Sequence, residues 1–341
     1  MKEHDMLRAA IVGLGSWGQA LVSSVQGKSD ALRFVAGHTR TPGKVEGFCR
    51  DKGIRLAGSF DEILSDPTID AVVLATPNSQ HAEQIMQAAR AGKHVFVEKP
   101  FTLESAGARA AIDAATAAGV VLSVGFNRRF HPSVRQLRER VRSGALGVIG
   151  AILSELTATT AFYRSGDSWR LLPEEEPAGV LAGIGIHLVD SMIDIIGRIA
   201  EVYCVTAHRA GPHGDDTTSL LLKFENGVTG HAFCSNAATR NYRLAAYGSK
   251  GFAEVINPTM ETFRFIPAVQ GRASHTAQIP EPEVIETHGF SSIAEELTQF
   301  ARCALDGRRQ PIPLDEILHG VCVFEATVES ARSGQPVLVK S

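Results

Sequence analysis

The chain has 341 residues, room for two domains. Hydrophobic residues at 44% and charged residues at 21% are ordinary globular usage, which excludes a disordered or collagen-like chain. Thirty-seven acids against 34 bases leave a net charge of −3, and so balanced a chain excludes a protein that lives on nucleic acid or on an anionic membrane.

Leu7–Val12 reads as a strand, and Leu21 and Val25 repeat at helical spacing after it. The uncharged stretch 9–27 looks superficially like a targeting segment, but its four glycines, three serines and two glutamines leave no continuous apolar core. Residues 33–37 form a second predicted strand, and 71–75 (AVVLA) a third, apolar throughout as a strand buried on both faces should be. Residues 80–91 read as helix stopped by Gly92, His94–Val97 as strand, 103–118 as an alanine-rich helix stopped by Gly119, and 120–124 as strand. This alternation predicts a doubly wound parallel sheet of Rossmann type over residues 1–125.

After Gly125 the pattern changes. Residues 220–224 and 228–233 flank Glu225-Asn226-Gly227, a hairpin signal, and 246–251 reads as another turn. Residues 126–341 are therefore expected to form an α/β domain with a largely antiparallel open sheet, with late helices over 293–305 and 317–330. No stretch is long and apolar enough to span a bilayer. The five cysteines form no Cys-x-x-Cys and no even framework. Reduced thiols, no structural zinc and a cytoplasmic protein are the expectation. The histidines and acids at 208, 213, 215 and 216 are irregularly spaced in a Gly/Pro turn, so no metal site is assigned. Six arginines and one acid over 128–142 read as the solvated side of a helix whose Val134, Leu137 and Val141 face inward.

Gly13-Leu14-Gly15-Ser16-Trp17-Gly18 follows a strand and opens a helix, the context in which G-x-G-x-x-G cradles a pyrophosphate. The first glycine permits the turn, the second admits the phosphates, and the third allows close helix–strand packing. An acid for the ribose 2′-OH belongs about 20 residues further on. That position is His38, in Gly37-His38-Thr39-Arg40, with no acid. Arg40 could pair with a 2′-phosphate while Thr39 donates a hydrogen bond, which favours NADP; alternatively Arg40 stacks near adenine and NAD binds too.

Thr76-Pro77-Asn78-Ser79-Gln80-His81 and Glu98-Lys99-Pro100 leave the C-terminal ends of predicted strands, the edge where open α/β sheets hold ligands. Lys99 is expected to be held rigidly and partly desolvated, and desolvation lowers a lysine pKa towards neutrality.

GLGSWG, the Thr-Pro-Asn-x-x-His segment, AGKHVFVEKP, GFNRRFHP, GIGIHLVD at 183–190 and the C-terminal ESARSGQPV together resemble the Gfo/Idh/MocA oxidoreductase family, in order along nearly the whole chain. The resemblance implies hydride transfer between NAD or NADP and a secondary alcohol or carbonyl of a sugar, polyol or related small molecule. It also implies a second domain whose open sheet mediates a homodimer or homotetramer, and it implies no nucleic-acid or membrane partner. Carried over, Lys99 polarises the substrate oxygen and His187 is the general base. Gly13, Gly15, Ser16, Trp17, Gly18, Thr39, Arg40, Thr76, Pro77, Asn78, His81, Glu98, Lys99 and Asn127 would hold the cofactor. Phe126, Arg128, Tyr163, Trp169 and Arg170 would join Lys99 and His187 around the substrate. Arg128, Arg164 and Arg170 raise an acidic sugar as one option. Many relatives carry an acid four residues before the histidine, where this chain has Gly183; another group, a water or a different substrate must account for that. Asp190, three residues after His187, reads as a helix-packing or orienting residue before a catalytic one. Two alternatives stay open: an NAD-dependent glycosidase that oxidises transiently, and a non-catalytic dinucleotide-binding regulator.

Overall fold

The protein is described from a computed structural model covering residues 6–163, 168–269, 280–308 and 310–340. The chain divides into two compact units. The first runs to Asn127 and takes back Ser291–Val321; the second holds Arg128–Phe290 and the chain from Cys322 onward.

In the first unit the elements run β1 (Leu7–Val12), α1 (Ser16–Val25), β2 (Leu32–His38), α2 (Glu46–Lys52), β3 (Arg55–Leu56), α3 (Phe60–Ser65), β4 (Ala71–Leu74), α4 (His81–Arg90), β5 (His94–Val97), α5 (Ser105–Ala117) and β6 (Leu122–Val124). The strands form one parallel sheet in the order β3-β2-β1-β4-β5-β6. Every residue of β4 is buried, which is why its sequence is an unbroken apolar run. Chain order reverses between β1 and β4, so the ligand crevice of such a sheet opens at their carboxyl ends.

The second unit contains α6 (Pro132–Arg142), β7 (Ile149–Thr157), α7 (Ile186–Ile196), β8 (Ile199–Ala207), β9 (Thr217–Phe224), β10 (Thr229–Ser235), β11 (Asn241–Gly248), β12 (Gly251–Ile256), β13 (Thr262–Pro267) and β14 (Glu283–Glu286). Helix α8 (Ser292–Asp306) follows in the first unit, α9 (Leu314–Ser333) begins there and ends in the second, and β15 (Val337–Leu338) closes the chain. The second sheet runs β14-β13-β12-β11-β7-β10-β9-β8-β15, antiparallel except for the β7–β10 pair. The Asn-Gly hairpin joins β9 to β10, with Gly227 at φ +87°. Alternation along β9 buries one face of the sheet and leaves the other outward, while α6 packs on β12 and β13 and α7 on β7 and β10.

Two features depart from the sequence reading. The sequence pattern places the helix over 293–305 with residues 126–341, yet α8 covers the parallel sheet. Its Leu297, Phe300 and Ala301 join the core of Leu21 and Phe34, and Phe300 meets Phe96 edge-on at 5.7 Å. The arginines of 128–142 are partnered rather than simply solvated: Arg129 is buried, Arg142 exposed and the others half-buried. Arg129, Arg138 and Arg142 pair with acids on α7, Arg140 with Glu283, and Arg128 and Arg135 lie over the rings of Tyr242 and Phe130. Except for Phe130, their partners lie dozens of residues away, outside the reach of helical periodicity.

Candidate active site

In the first unit, β1 delivers the chain into the glycine loop. Gly13 has φ +97°, and a Cβ there would lie 2.4 Å from Ala75 O. A Cβ on Gly18 would lie 2.0 Å from Gly13 O, so neither position admits a side chain. Gly15 differs, because a Cβ there would meet nothing within 4 Å. The space beside it is open. Helix α1 begins at the exposed Ser16 with no side-chain cap and no acid in its first turn, so its first N–H groups and the positive end of its dipole suit an anion. The Trp17 indole N–H is enclosed and has no protein acceptor among the described residues. These features fit the pyrophosphate of a dinucleotide.

At the end of β2, His38 O accepts from Gly13 N–H at 2.9 Å and the His38 ring Nδ1 lies 3.1 Å from Ala57 O. Thr39 is half-buried and Arg40 exposed, and no described residue pairs with Arg40.

The carboxyl ends of β4 and β5 carry the other two motifs. Thr76 and Pro77 are half-buried, and Asn78 is buried in a 3-10 turn. The Thr76 hydroxyl donates to Gln84 Oε1 at 2.6 Å. His81 is fully buried, with Nδ1 2.9 Å from Pro100 O and Nε2 3.2 Å from Thr76 O. Its ring is therefore committed to backbone, where it ties the Thr-Pro-Asn turn to the Lys99-Pro100 segment. Glu98 is buried and accepts from Lys99 N–H at 3.2 Å; a Cβ on Gly125 would lie 2.9 Å from its carboxylate, so that glycine makes its room. Lys99 is half-buried, Phe126 buried and Asn127 half-buried.

In the second unit, a five-residue π-helical turn, Leu181–Gly185, leads into α7, where His187 is buried at the second position. Wide turns of this type recur at functional sites. The Ser191 hydroxyl donates to His187 O at 2.8 Å. Asp190 takes the Arg129 guanidinium at 2.7 Å. Arg128 lies 5.3 Å from the Tyr242 ring centroid, and burial pushes the Tyr242 phenol up to about 12. Arg170 stacks on its neighbour Trp169 at 4.1 Å, and Tyr163 is exposed. Arg164 lies outside the described residues.

Arg170, Glu176, His213, Asp216 and Asn236 line a cavity of about 260 Å³ in the same unit. Asp216 shapes its wall by accepting from Ala210 N–H (2.7 Å), Gly211 N–H (2.6 Å) and the Thr217 hydroxyl (2.8 Å). Burial alone would raise its pKa, but these donors outweigh burial and hold it at about 2. His208 Nε2 lies 2.6 Å from Gly211 O, so these groups organise a turn. Sequence reasoning missed Glu176 altogether. Its carboxylate accepts from Gly183 N–H at 2.9 Å, and the Glu174-Glu175-Glu176 run gives no sign of which glutamate turns inward.

A parallel sheet in this order, with an uncapped glycine loop at its point of reversal, defines a dinucleotide-binding Rossmann domain. Two family models match the chain: the oxidoreductase family with NAD-binding Rossmann fold over residues 7–126, and the GFO/IDH/MocA C-terminal domain over residues 134–254. The chain belongs to the Gfo/Idh/MocA oxidoreductase family, and is an NAD(P)-dependent enzyme of the class that acts on CH–OH groups. It is 28% identical to scyllo-inositol 2-dehydrogenase (NAD(+)) of Bacillus subtilis strain 168, over 98% of this chain and 96% of the relative. Inositol 2-dehydrogenase of Rhizobium meliloti strain 1021 is 31% identical over 72% of this chain and 74% of the relative. Among solved structures, aldose-aldose oxidoreductase from Caulobacter crescentus complexed with glycerol aligns with a TM-score of 0.83 at 26% identity, covering 98% of this chain and 99% of that one. Among the described residues, no helix is long and apolar enough to cross a membrane.

Proposed function

We propose that this enzyme oxidises a secondary alcohol of a sugar, polyol or related small molecule, or reduces the matching carbonyl, and that it prefers NADP to NAD. The observation that carries the reading is the placement of Lys99. It is half-buried at the carboxyl end of β5, with its backbone anchored on the buried Glu98 and its segment tied to the Thr76 turn through His81. Polyol-directed relatives such as the two inositol dehydrogenases support the substrate class.

The nicotinamide, when bound, supplies or accepts the hydride. Lys99 Nζ donates to the substrate oxygen and stabilises the negative charge that develops on it. His187 takes the hydroxyl proton at a ring nitrogen during oxidation and returns it during reduction. Gly15 and the first N–H groups of α1 bind the pyrophosphate, and Asn78 and Asn127 border the cofactor. Phe126, Arg128, Tyr163, Trp169 and Arg170 contribute to substrate recognition. Turnover of a panel of sugars, polyols and sugar acids with each cofactor, followed by nicotinamide absorbance, tests the reading. Release of an aglycone without net cofactor change would favour the glycosidase instead, and cofactor binding without turnover the regulator.

Preference for NADP rests on Arg40, exposed beside Thr39 with no acid at the end of β2. A charge-assisted bond to a 2′-phosphate contributes roughly 1.5–3 kcal/mol. Arg40→Ala should therefore weaken NADPH binding about 10- to 150-fold while leaving NADH binding within about twofold. Equal binding of the two cofactors by the unaltered enzyme would sink the preference.

The outward face of the second sheet carries Val205, Leu221, Phe233 and Tyr247, each more than a third exposed. Pairing sets Phe233 beside Ser219 and Val205 across adjacent strands. Such a face supports a homodimer or homotetramer. Light scattering should give a mass at least twice that of one chain, and Phe233→Lys should lower it; a single-chain mass in the unaltered protein contradicts the assignment.

A further inference from the structure

The family resemblance leads one to expect an acid at residue 183, four residues before His187, and this chain has glycine there. The space that a side chain there would fill is taken. A Cβ on Gly183 would lie 2.8 Å and 3.1 Å from the two carboxylate oxygens of Glu176, and Gly183 N–H already donates to Glu176 Oε2 at 2.9 Å. The carboxylate reaches this point from a loop rather than from the helix.

The loop is built to deliver it. Leu172 O accepts from Glu175 N–H at 2.9 Å and from Glu176 N–H at 3.2 Å, which closes a turn just before the carboxylate. Ala178 and Gly179 then both adopt left-handed conformations, φ +57° and +71°. For an alanine this persists only where neighbours fix it. Thr218 is that neighbour: its hydroxyl donates to Ala178 O at 2.9 Å and accepts from Val180 N–H at 3.1 Å. The reversal returns the chain to Leu181, where the π turn begins, and leaves Glu176 against the third residue of that turn. The carboxylate meets the helix head, and Glu176 also lines the cavity shared with Arg170.

We propose that Glu176 is the positioning acid of this enzyme, a carboxylate supplied in place of a side chain at residue 183. It acts through His187, favouring the protonated imidazole that forms as the substrate hydroxyl loses its proton. The inference rests on His187 as the base assigned under the proposed function. A plain helix cap is the competing role, since an acceptor at Gly183 N–H satisfies a first-turn donor. Charge separates the two roles. Glutamine at 176 keeps an acceptor for Gly183 N–H and removes the charge.

Glu176→Gln should lower kcat roughly tenfold to a hundredfold, the effect of one to two pKa units, with the cofactor dissociation constant unchanged. The charge should also be movable. Glu176→Ala empties the space beside Gly183, and Gly183→Asp added to it should recover at least about tenfold of the lost kcat. Gly183→Asp alone should not, because two carboxylates then crowd one site. In the cofactor-free protein, the ring-nitrogen chemical shifts of His187 should move in Glu176→Gln and move back in the Glu176→Ala/Gly183→Asp pair. Wild-type kcat and unmoved His187 shifts in Glu176→Gln would make Glu176 a cap and overturn the proposal, as would a double variant no better than Glu176→Ala. If the unaltered enzyme turns over no alcohol, the functional reading fails on its own account, and the His187 shifts still decide the place of Glu176.

Discussion

Lys99→Met should lower kcat by about 10²–10³-fold while dinucleotide binding stays largely intact. The expected size is that of removing one aligned donor from a developing oxyanion. Binding should survive because the phosphate cradle is built elsewhere in the first unit, from Gly13, Gly15, Gly18 and the uncapped start of α1. The backbone that carries residue 99 should also survive. Lys99 N–H donates to the Glu98 carboxylate, and Pro100 O meets the His81 ring, so neither anchor uses the lysine side chain. Methionine keeps most of the apolar stem and removes only the charged donor. His187→Ala should cost a further test of the same kind, about 10²–10⁴-fold in kcat if the imidazole is the general base. Steady-state kinetics with fluorescence titration of the cofactor separates the two quantities. Full turnover in Lys99→Met would remove the lysine from the reaction, and a matching loss of cofactor affinity would make it a binding residue instead.

What could be read from the sequence was whatever is local. The glycine loop works through residues five apart, and its rule is steric: Gly18 lies 2.0 Å from Gly13 O when given a Cβ, so the spacing itself encodes the contact. The ends of β4 and β5 were likewise legible, because a strand buried on both faces has no polar residue to hide its boundary. Strand β7 was not foreseen. It lies at the middle of the second sheet, but Ser154, Glu155 and Thr157 interrupt its apolar pattern, and burial of the two smaller ones depends on neighbours far along the chain. The same limit hid the partners of Arg129 and the attachment of α8 to the first unit. Glu176 was beyond reach for a different reason: its placement depends on a left-handed alanine, and Ala178 carries none of the glycine or asparagine signal by which such turns are recognised. For His81 the sequence carries the motif but not the contacts, since only the fold brings two carbonyl oxygens to one ring.

Asp190→Ala should be the most destabilising single change in the second unit that leaves the proposed chemistry untouched, by about 3–5 kcal/mol. Arg129, Asp190 and Asp194 each have side chains no more than 5% exposed, so the guanidinium has left water to meet these carboxylates. Asp190 receives Nε at 3.0 Å and Nη2 at 2.7 Å, whereas Asp194 reaches Nη1 only at 3.5 Å and is shared with Arg138 and Arg142. Removing Asp190 therefore strands most of a buried positive charge, and the desolvation already incurred is no longer offset. Replacing both partners with apolar residues, Arg129→Met with Asp190→Leu, removes the stranded charge and should cost less than Asp190→Ala alone. The chain has two tryptophans, one in each unit, so Trp17→Phe leaves Trp169 to report on the second unit in urea unfolding. A midpoint unchanged by Asp190→Ala would mean that Arg129 finds Asp194 or water without penalty. A double variant as unstable as the single one would mean that packing, not charge, governs the contact of Arg129 with α7. Because Asp190 follows His187 by three residues on α7, the same variant gives a second reading. If the ion pair only anchors the helix, kcat measured well below the unfolding transition should stay within a few-fold of the unaltered enzyme, in contrast to the loss expected for Glu176→Gln.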